Sequence, residues 1–302
     1  MTPLPMTESG LDRISELRKD AAFVAEQWQK PDTMFVVIGG GRVELADDGE
    51  GTVARWHRAA QGTAPTGDRI FLGVDSNQTA YFAVSGEPGG SNIAGLRELA
   101  TMSAFDAAAE MARLATAVGV LNWHEKHQHC PICGERTQVT AAGWERICPA
   151  DGSHHFPRVD PAVIMLVEDE TGRALLARQA RWPEGWFSTL AGFVEPGESF
   201  EAAVTREVAE EAGVTVVDHR YFATQPWPFP SSVMVGFRAW AADSPEPTPD
   251  GVELVEARWF TAAELRRDCE AGLVKLPSRL SISRALIEDW YGGALPGGWG
   301  ER

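Results

Sequence analysis

Three glutamates close together, Glu207, Glu210 and Glu211, are the residues of this 302-residue sequence best suited to chemistry. They fall within residues 192–214, GFVEPGESFEAAVTREVAEEAGV. The run Glu195-Pro196-Gly197-Glu198 is turn chemistry. Ser199 can cap a helix that starts near Phe200, and Gly213 stands where a helix ends in left-handed conformation. The pattern predicts a helix over 200–212, with Phe200, Val204 and Val208 recurring every four residues toward a core. On that helix the three glutamates occupy i, i+3 and i+4, adjoining surface of the same two turns. Carboxylates this close repel one another unless a cation offsets them. Hard oxygen ligands select magnesium or manganese, and these in turn bind phosphate oxygens. Arg206 can pair with a carboxylate of the preceding loop, Glu198, and pin loop to helix. Taken alone, an acidic run is more often a solvated helix face than a site.

Two further constellations stand out. Cys130-Pro-Ile-Cys133-Gly-Glu and Cys148-Pro-Ala-Asp151-Gly-Ser repeat one pattern, with Asp in the last ligand place. Each half has two ligands spaced like a zinc knuckle, with Gly freeing the turn. The gap of 14 residues between Cys133 and Cys148 is close to ribbon spacing. Asp151 is favoured as the fourth ligand over His154 and His155, and a ribbon held by packing without zinc is the alternative. Zinc in such a closed site is structural. His124, His127 and His129 read as solvated, and Cys269, in the polar stretch ELRRDCEAG, as an uninvolved helical thiol. In residues 224–232, TQPWPFPSS, three alternating prolines fix φ and remove donors, which predicts a stiff loop unsuited to a central strand. Trp227 and Phe229 on that preset backbone form either a platform for a nucleobase or nicotinamide ring, or a turn with its aromatics tucked into a core.

The elements that must position these groups are legible from periodicity. Apolar runs at 34–38, 69–74 and 80–84 read as strands. Residues 105–121 have helical spacing, with Phe105, Met111, Leu114, Val118 and Leu121 on one face. Gly39, Gly40 and Gly41 form a turn rather than a dinucleotide-binding loop, because no amphipathic helix follows and the third glycine of that fingerprint is absent. Residues 126–158, rich in Cys, His and Gly, cannot build a core of their own. Beyond Pro161 come two strands (162–169 and 173–179), a loop, the glutamate helix, a loop at 244–251 and a closing helix at 279–290. The fold class is thus mixed α and β: an N-terminal α+β domain over 1–125, a zinc-ribbon insert over 126–158, and a C-terminal domain over 159–302. A net charge of −16 speaks against a broad nucleic-acid footprint. With 44% hydrophobic and 23% charged residues the composition is that of a globular protein. No apolar stretch approaches the ~20 residues that span a bilayer, and the N-terminus lacks a signal-peptide pattern. A cytoplasmic protein without membrane partners is expected.

Gly192, five residues, Glu198, seven residues, Arg206-Glu207-Val208, one residue, Glu210-Glu211, one residue, Gly213-Val214 fills every fixed position of the Nudix box. Here the sequence resembles the Nudix hydrolases. The resemblance implies a C-terminal αβα sandwich, an N-terminal Nudix-like domain, and metal-dependent hydrolysis of a nucleoside diphosphate linked to another group. It implies Glu207 and Glu211 as the main Mg2+ or Mn2+ ligands and Glu210 as a further ligand or water-positioning group. The backbone carbonyl of Ala191 would complete the sphere. QPWPFPSS resembles the QPWPFPxS signature of the NADH pyrophosphatase subfamily. That implies Gln225, Pro226, Trp227, Pro228, Phe229, Pro230, Ser231 and Ser232 as substrate-binding. It also implies Glu253 as an extra metal-binding glutamate or the base, Phe156 at an aromatic contact position where many relatives have Tyr, and Ser283 as a late substrate contact. Relatives carry four cysteines in the ribbon; this chain departs from them at Asp151. The implied reaction converts NAD(H) and water to NMN(H) and AMP. Some relatives remove an NAD cap from RNA by the same cut, and relatives are usually homodimers. Two alternatives are a Nudix hydrolase of ADP-ribose or another dinucleotide, and a non-catalytic zinc-ribbon protein that binds nucleic acid.

Overall fold

The computed structural model describes residues 4–47, 49, 52–60, 66–99 and 108–299. It divides into two compact units, one of Pro5–Val159 with Trp227–Ser231, the other built chiefly of Asp160–Pro226 and the chain from Ser232 onward.

The first unit starts with helix α1 (Ala21–Gln29), capped by the Asp20 carboxylate, which accepts from Ala22 N and Phe23 N. Seven short strands follow: β1 (Met34–Gly39), β2 (Arg42–Asp47), β3 (Thr52–Ala54), β4 (His57–Arg58), β5 (Arg69–Val74), β6 (Ala80–Ser85) and β7 (Ile93–Gly95). Their order is β3-β2-β1-β6-β5, with β4 on β1 and β7 on β2. β1 and β6 are parallel, with Ile38 opposite Ser85. Gly40 and Gly41 take positive φ (56° and 69°) and turn β1 into β2, as their lack of a following helix required. Helices α2 (Leu96–Leu99) and α3 (Ala108–Lys126) close this part. α3 buries Met111, Leu114, Val118 and Leu121 and runs past the expected end at Leu121; Phe105 lies outside the described residues. A three-stranded antiparallel ribbon belongs to the same unit: β8 (Gln138–Thr140), β9 (Glu145–Ile147) and β10 (His154–His155), in the order β10-β9-β8.

The second unit is a sheet between helices. Its elements are β11 (Asp160–Glu168), β12 (Ala174–Gln179), β13 (Leu190–Phe193), α4 (Phe200–Ala212), β14 (Val216–Trp227), β15 (Ser232–Ala241), β16 (Leu254–Phe260), α5 (Ala262–Glu270) and α6 (Ile282–Tyr291). The order is β14-β15-β11-β12-β16, with β13 on β11. Alternation along β11 builds two cores. Val163, Met165 and Val167 face Val204 and Val208 of α4, while Ile164 and Leu166 face Leu265 of α5 and Leu286 and Ile287 of α6. Each such side chain contributes about 1.5–3 kcal/mol by leaving water. No helix among the described residues is long and apolar enough to cross a membrane.

Three expectations need correction. Phe200 is exposed rather than in the core, because the first helical residue still lies at the mouth of the loop. The closing helix starts at Ile282, not Arg279, capped by Ser281, whose side chain accepts from Ser283 N. The stiff segment is not a loop from Thr224: β14 continues through Pro226 to Trp227. It does so at the sheet edge, where the missing proline N–H costs no ladder bond.

Gln225 is fully buried on that edge strand. Its Nε2 donates to Leu280 O (2.7 Å) and its Oε1 accepts from Ile282 N (2.8 Å), tying β14 to the start of α6. Gln225→Leu leaves both backbone groups unsatisfied and is expected to cost about 1–3 kcal/mol. The readout is a lower urea midpoint at unchanged slope; an unmoved midpoint would show that this carboxamide does not fix α6.

Candidate active site and metal centre

α4 is stopped at both ends by its own sequence. The Ser199 side chain accepts from Ala202 N, and Gly213 ends the helix at φ 68°. Ala203, Val204, Val208 and Ala212 are buried, and docking that face fixes where the glutamates point. Arg206 then clamps loop to helix. It donates to both oxygens of Glu198 (2.8 and 2.9 Å), to Glu207 Oε1 (2.8 Å), to Glu210 Oε2 (3.3 Å) and to Phe193 O (2.9 Å). Hydrogen bonding to Arg206 holds the Glu198 carboxyl below its ordinary range. Gly192 is required by contact: a Cβ there would fall 1.9 Å from the Glu207 carboxyl carbon. β13, which carries Ala191 and Gly192, is held on β11 with Ala191 opposite Ile164.

The glutamates do not share one environment. Glu210 reaches solvent, with a side chain 65% exposed. Glu211 is only 5% exposed, and its Oε2 has no hydrogen-bond partner. Burial, followed by the charges of Glu207, Glu253 and Asp250, pushes the Glu211 carboxyl up to about 8. Glu207 is raised too, by burial first, against the pull of Arg206. Glu253 hydrogen-bonds Glu211. A buried, partnerless carboxylate oxygen facing other carboxylates is what a divalent cation needs and what a protein without one tolerates poorly. The residues present therefore fit a hard metal ion.

Two residues of this neighbourhood escaped sequence reasoning. Asp250 accepts from the backbone N–H of Val252, Glu253 and Leu254 and donates its own N–H to Glu211 O (3.2 Å). It thus fixes the backbone of Glu253 relative to Glu211. The signal was there, since Asp250-Gly251 is an Asx-turn dipeptide, but it reads as any loop. Phe193, beside Gly192, is 59% exposed.

The residues expected to bind substrate are divided between the units. In the second unit Gln225 is committed to α6 as described, Pro226 is exposed and Ser232 half-buried. The Ser283 hydroxyl is buried among Ser188 Oγ (2.8 Å), Thr189 Oγ1 (2.8 Å) and Thr189 N (3.2 Å). Trp227, Pro228, Phe229, Pro230 and Ser231 belong to the first unit, as does Phe156, whose ring is exposed. The Trp227 and Phe229 rings meet edge to face at 5.1 Å, and Asn122 Nδ2 donates to Pro228 O (3.4 Å).

In the ribbon the two knuckles repeat one hydrogen-bond pattern. Gly134 N donates to Cys130 O and Gly152 N to Cys148 O; Cys130 N donates to Glu135 O and Cys148 N to Ser153 O. Ligand atoms of Cys130, Cys133, Cys148 and Asp151 all lie within 4.8 Å of one another. Ser153 donates to Asp151 Oδ1 from both N and Oγ, which leaves Oδ2 beside Cys130 Sγ (3.3 Å). The Ser153 bonds hold Asp151 ionised, well below the usual carboxylate range. This set fits a tetrahedral zinc ion. His154 instead pairs with Glu145, and His155 Nε2 meets Ser153 Oγ. His124 corrects another expectation. It is buried rather than solvated, with Nε2 on Gly143 O (2.8 Å) and Nδ1 on Arg146 (2.8 Å). Cys269 is a buried thiol, raised to about 11 by burial.

Comparison with known proteins agrees with this geometry. Residues 158–277 match the NUDIX domain family, and residues 125–156 match the NADH pyrophosphatase zinc ribbon domain. The NAD-capped RNA hydrolase NudC of Mycobacterium tuberculosis is 38% identical over 94% of this chain and 94% of its own length. A human NAD-capped RNA hydrolase is 44% identical over 59% of this chain and 41% of its own. A solved Nudix hydrolase from Nitrosomonas europaea, 25% identical, covers 57% of this chain and 97% of its own with a TM-score of 0.42. The chain belongs to the Nudix hydrolases, in the group that carries a zinc ribbon of the NADH pyrophosphatase type.

The raised Glu211 carboxyl has a sign that can be checked. Its folded value, about 8, lies above the ordinary 4.5, so the fold binds an extra proton between these values. Metal-free protein is expected to lose stability as pH rises from about 4.5 to about 8. Glu198 and Asp250, lowered, act in the opposite sense only at more acid pH. Urea midpoints of chelator-treated protein should fall across that window, and Glu211→Gln should flatten the fall; a flat wild-type profile would contradict the burial of this charge.

Proposed function

We propose that this chain hydrolyses the diphosphate bridge of NAD(H), giving NMN(H) and AMP, and makes the same cut at the NAD-capped end of RNA. The unpartnered Glu211 Oε2, buried beside Glu207 and Glu253, is the observation that carries this reading. Glu207, Glu211, Glu253 and the carbonyl oxygen of Ala191 would hold Mg2+ or Mn2+, and Cys130, Cys133, Cys148 and Asp151 would hold structural Zn2+. Divalent metal at the glutamates supplies charge neutralisation for the diphosphate and acidifies a bound water. The chain's own residues do the rest. Arg206 neutralises Glu198 and part of Glu207 and keeps the loop in register with α4. Asp250 holds Glu253 next to Glu211, as a further metal ligand or as the base that takes the proton of the attacking water. Glu210, open to solvent, orients water at the outer side of the cluster. By the resemblance, Phe156, Trp227 and Phe229 are assigned to the substrate's rings. Gln225 and Ser283 act by positioning, and Pro226, Pro228, Pro230, Ser231 and Ser232 shape the binding segment.

The names of the relatives support NAD-capped RNA as substrate, and the description of the matching zinc ribbon family supports NAD(H). Net charge −16 is compatible with a capped RNA held by its terminal nucleotides alone. The resemblance also supports a homodimer and the division into parts at 1–125, 126–158 and 159–302, and the sequence pattern is that expected of a cytoplasmic protein. In a product assay on NADH, NAD+, NAD-capped RNA and ADP-ribose side by side, Glu211→Gln is expected to cut magnesium-dependent AMP release from NADH on the order of 10²–10⁴-fold with an unchanged circular dichroism spectrum. Wild-type turnover by that variant would overturn the metal assignment. Preferred cleavage of ADP-ribose would overturn the substrate.

A further inference from the structure

The unit of Pro5–Val159 and Trp227–Ser231 contains a cavity of about 370 Å3 with no part in the hydrolysis proposed above. That volume lies within the range of small-molecule sites. It opens where the parallel strands β1 and β6 end, at Gly39 and Gly86, the end of a parallel pair at which ligands of α/β sheets commonly sit. The two strand ends touch: Gly86 N donates to Ile38 O (3.1 Å), and a Cβ on Gly39 would fall 2.5 Å from Gly86 O. No side chain therefore fills the cavity from these two glycines.

Its lining also includes a buried cation. Arg146, 4% exposed, donates from Nε to Thr137 Oγ1 (2.7 Å), from one terminal nitrogen to Thr137 O (3.0 Å) and from the other to His124 Nδ1 (2.8 Å). All three acceptors are neutral. His124 must carry its proton on Nε2 to donate to Gly143 O, so Nδ1 is a lone-pair acceptor for the guanidinium. Among the described residues no carboxylate comes within ion-pair distance of Arg146. Asp68 acts on it only through its charge, from beyond ion-pair distance. A desolvated guanidinium with N–H donors left over and no carboxylate in contact is costly, and a bound anion relieves the cost. Arg136, exposed and also in the lining, adds a second positive charge. Asp68, Glu87 and Glu125 line the cavity as well. A ligand that satisfies the whole wall needs an anionic head for the arginines and hydroxyl hydrogens for the carboxylates.

We infer that this cavity binds a small phosphorylated polyol, a sugar phosphate or nucleoside monophosphate, with its phosphate at Arg146 and Arg136 and its hydroxyls toward Asp68, Glu87 and Glu125. The fork of Arg146 suits phosphate oxygens. The three carboxylates of the lining disfavour ligands of higher negative charge. The site uses no residue of the glutamate cluster and no divalent metal.

The test is calorimetric titration of the full chain, with divalent metal chelated, using ribose 5-phosphate and AMP as probes. Saturable binding of one molecule of either per chain is expected, weakened about tenfold or more by Arg136→Glu and by Arg146→Lys and unchanged by Glu211→Gln. Binding of ribose 5-phosphate assigns the site to sugar phosphates, and binding of AMP alone assigns it to nucleotides. Arg136 is exposed, so its variant reads the site even where Arg146→Lys does not fold. Absence of saturable binding by both probes overturns the inference. So does binding that Arg136→Glu leaves intact, or that Glu211→Gln abolishes.

Discussion

An ionised carboxylate withdrawn from water needs a cation or a proton, and Glu211 has neither a basic side chain at ion-pair distance nor a partner for Oε2 among the described residues. Much of the second unit enforces this. Val204 and Val208 lock α4 onto the sheet, and Ala212 and Gly213 end it. The bare Cα of Gly192 lets β13 approach the Glu207 carboxylate. The Asx turn at Asp250 brings in Glu253. Each of these alone is ordinary packing or turn chemistry. Together they concentrate negative charge where it is least solvated, the arrangement found where pKa values are tuned for function.

Arg206 shows how that charge is apportioned. It satisfies Glu198 on both oxygens and takes one oxygen of Glu207, with a longer contact to the solvated Glu210. It does not reach Glu211 or Glu253. One fixed cation therefore organises the loop, and the charge it leaves over is available to a mobile one. Exchanging Arg206 for lysine would lose the fork that spans Glu198 and Phe193 O.

The sequence was most informative where spacing is rigid. The helix over Phe200–Ala212, its Ser199 cap and its left-handed Gly213 follow from local rules, and so do the strands at β1, β5, β6, β11 and β12. Asp151 could be placed in the cysteine cluster because the knuckle repeat is local too. What was hidden depends on tertiary contact. Three prolines suggest a loop, yet an edge position lets β14 run through Pro226. His124 looks solvated beside polar neighbours, but it is sealed between Gly143 and Arg146. Nothing in the spacing of the glutamates separates buried Glu211 from exposed Glu210. That difference comes from which side of α4 meets the sheet, and from Asp250, which lies nearly forty residues along the chain.

The most direct measurement is the proton balance of cation binding. Magnesium or manganese would be titrated into metal-free protein at pH 7 in two buffers of different ionisation enthalpy. A carboxyl raised to about 8 is largely protonated there, so about one proton should leave for each cation bound at the glutamates. Binding without proton release, or no binding, would contradict a buried Glu211 as the heart of the site.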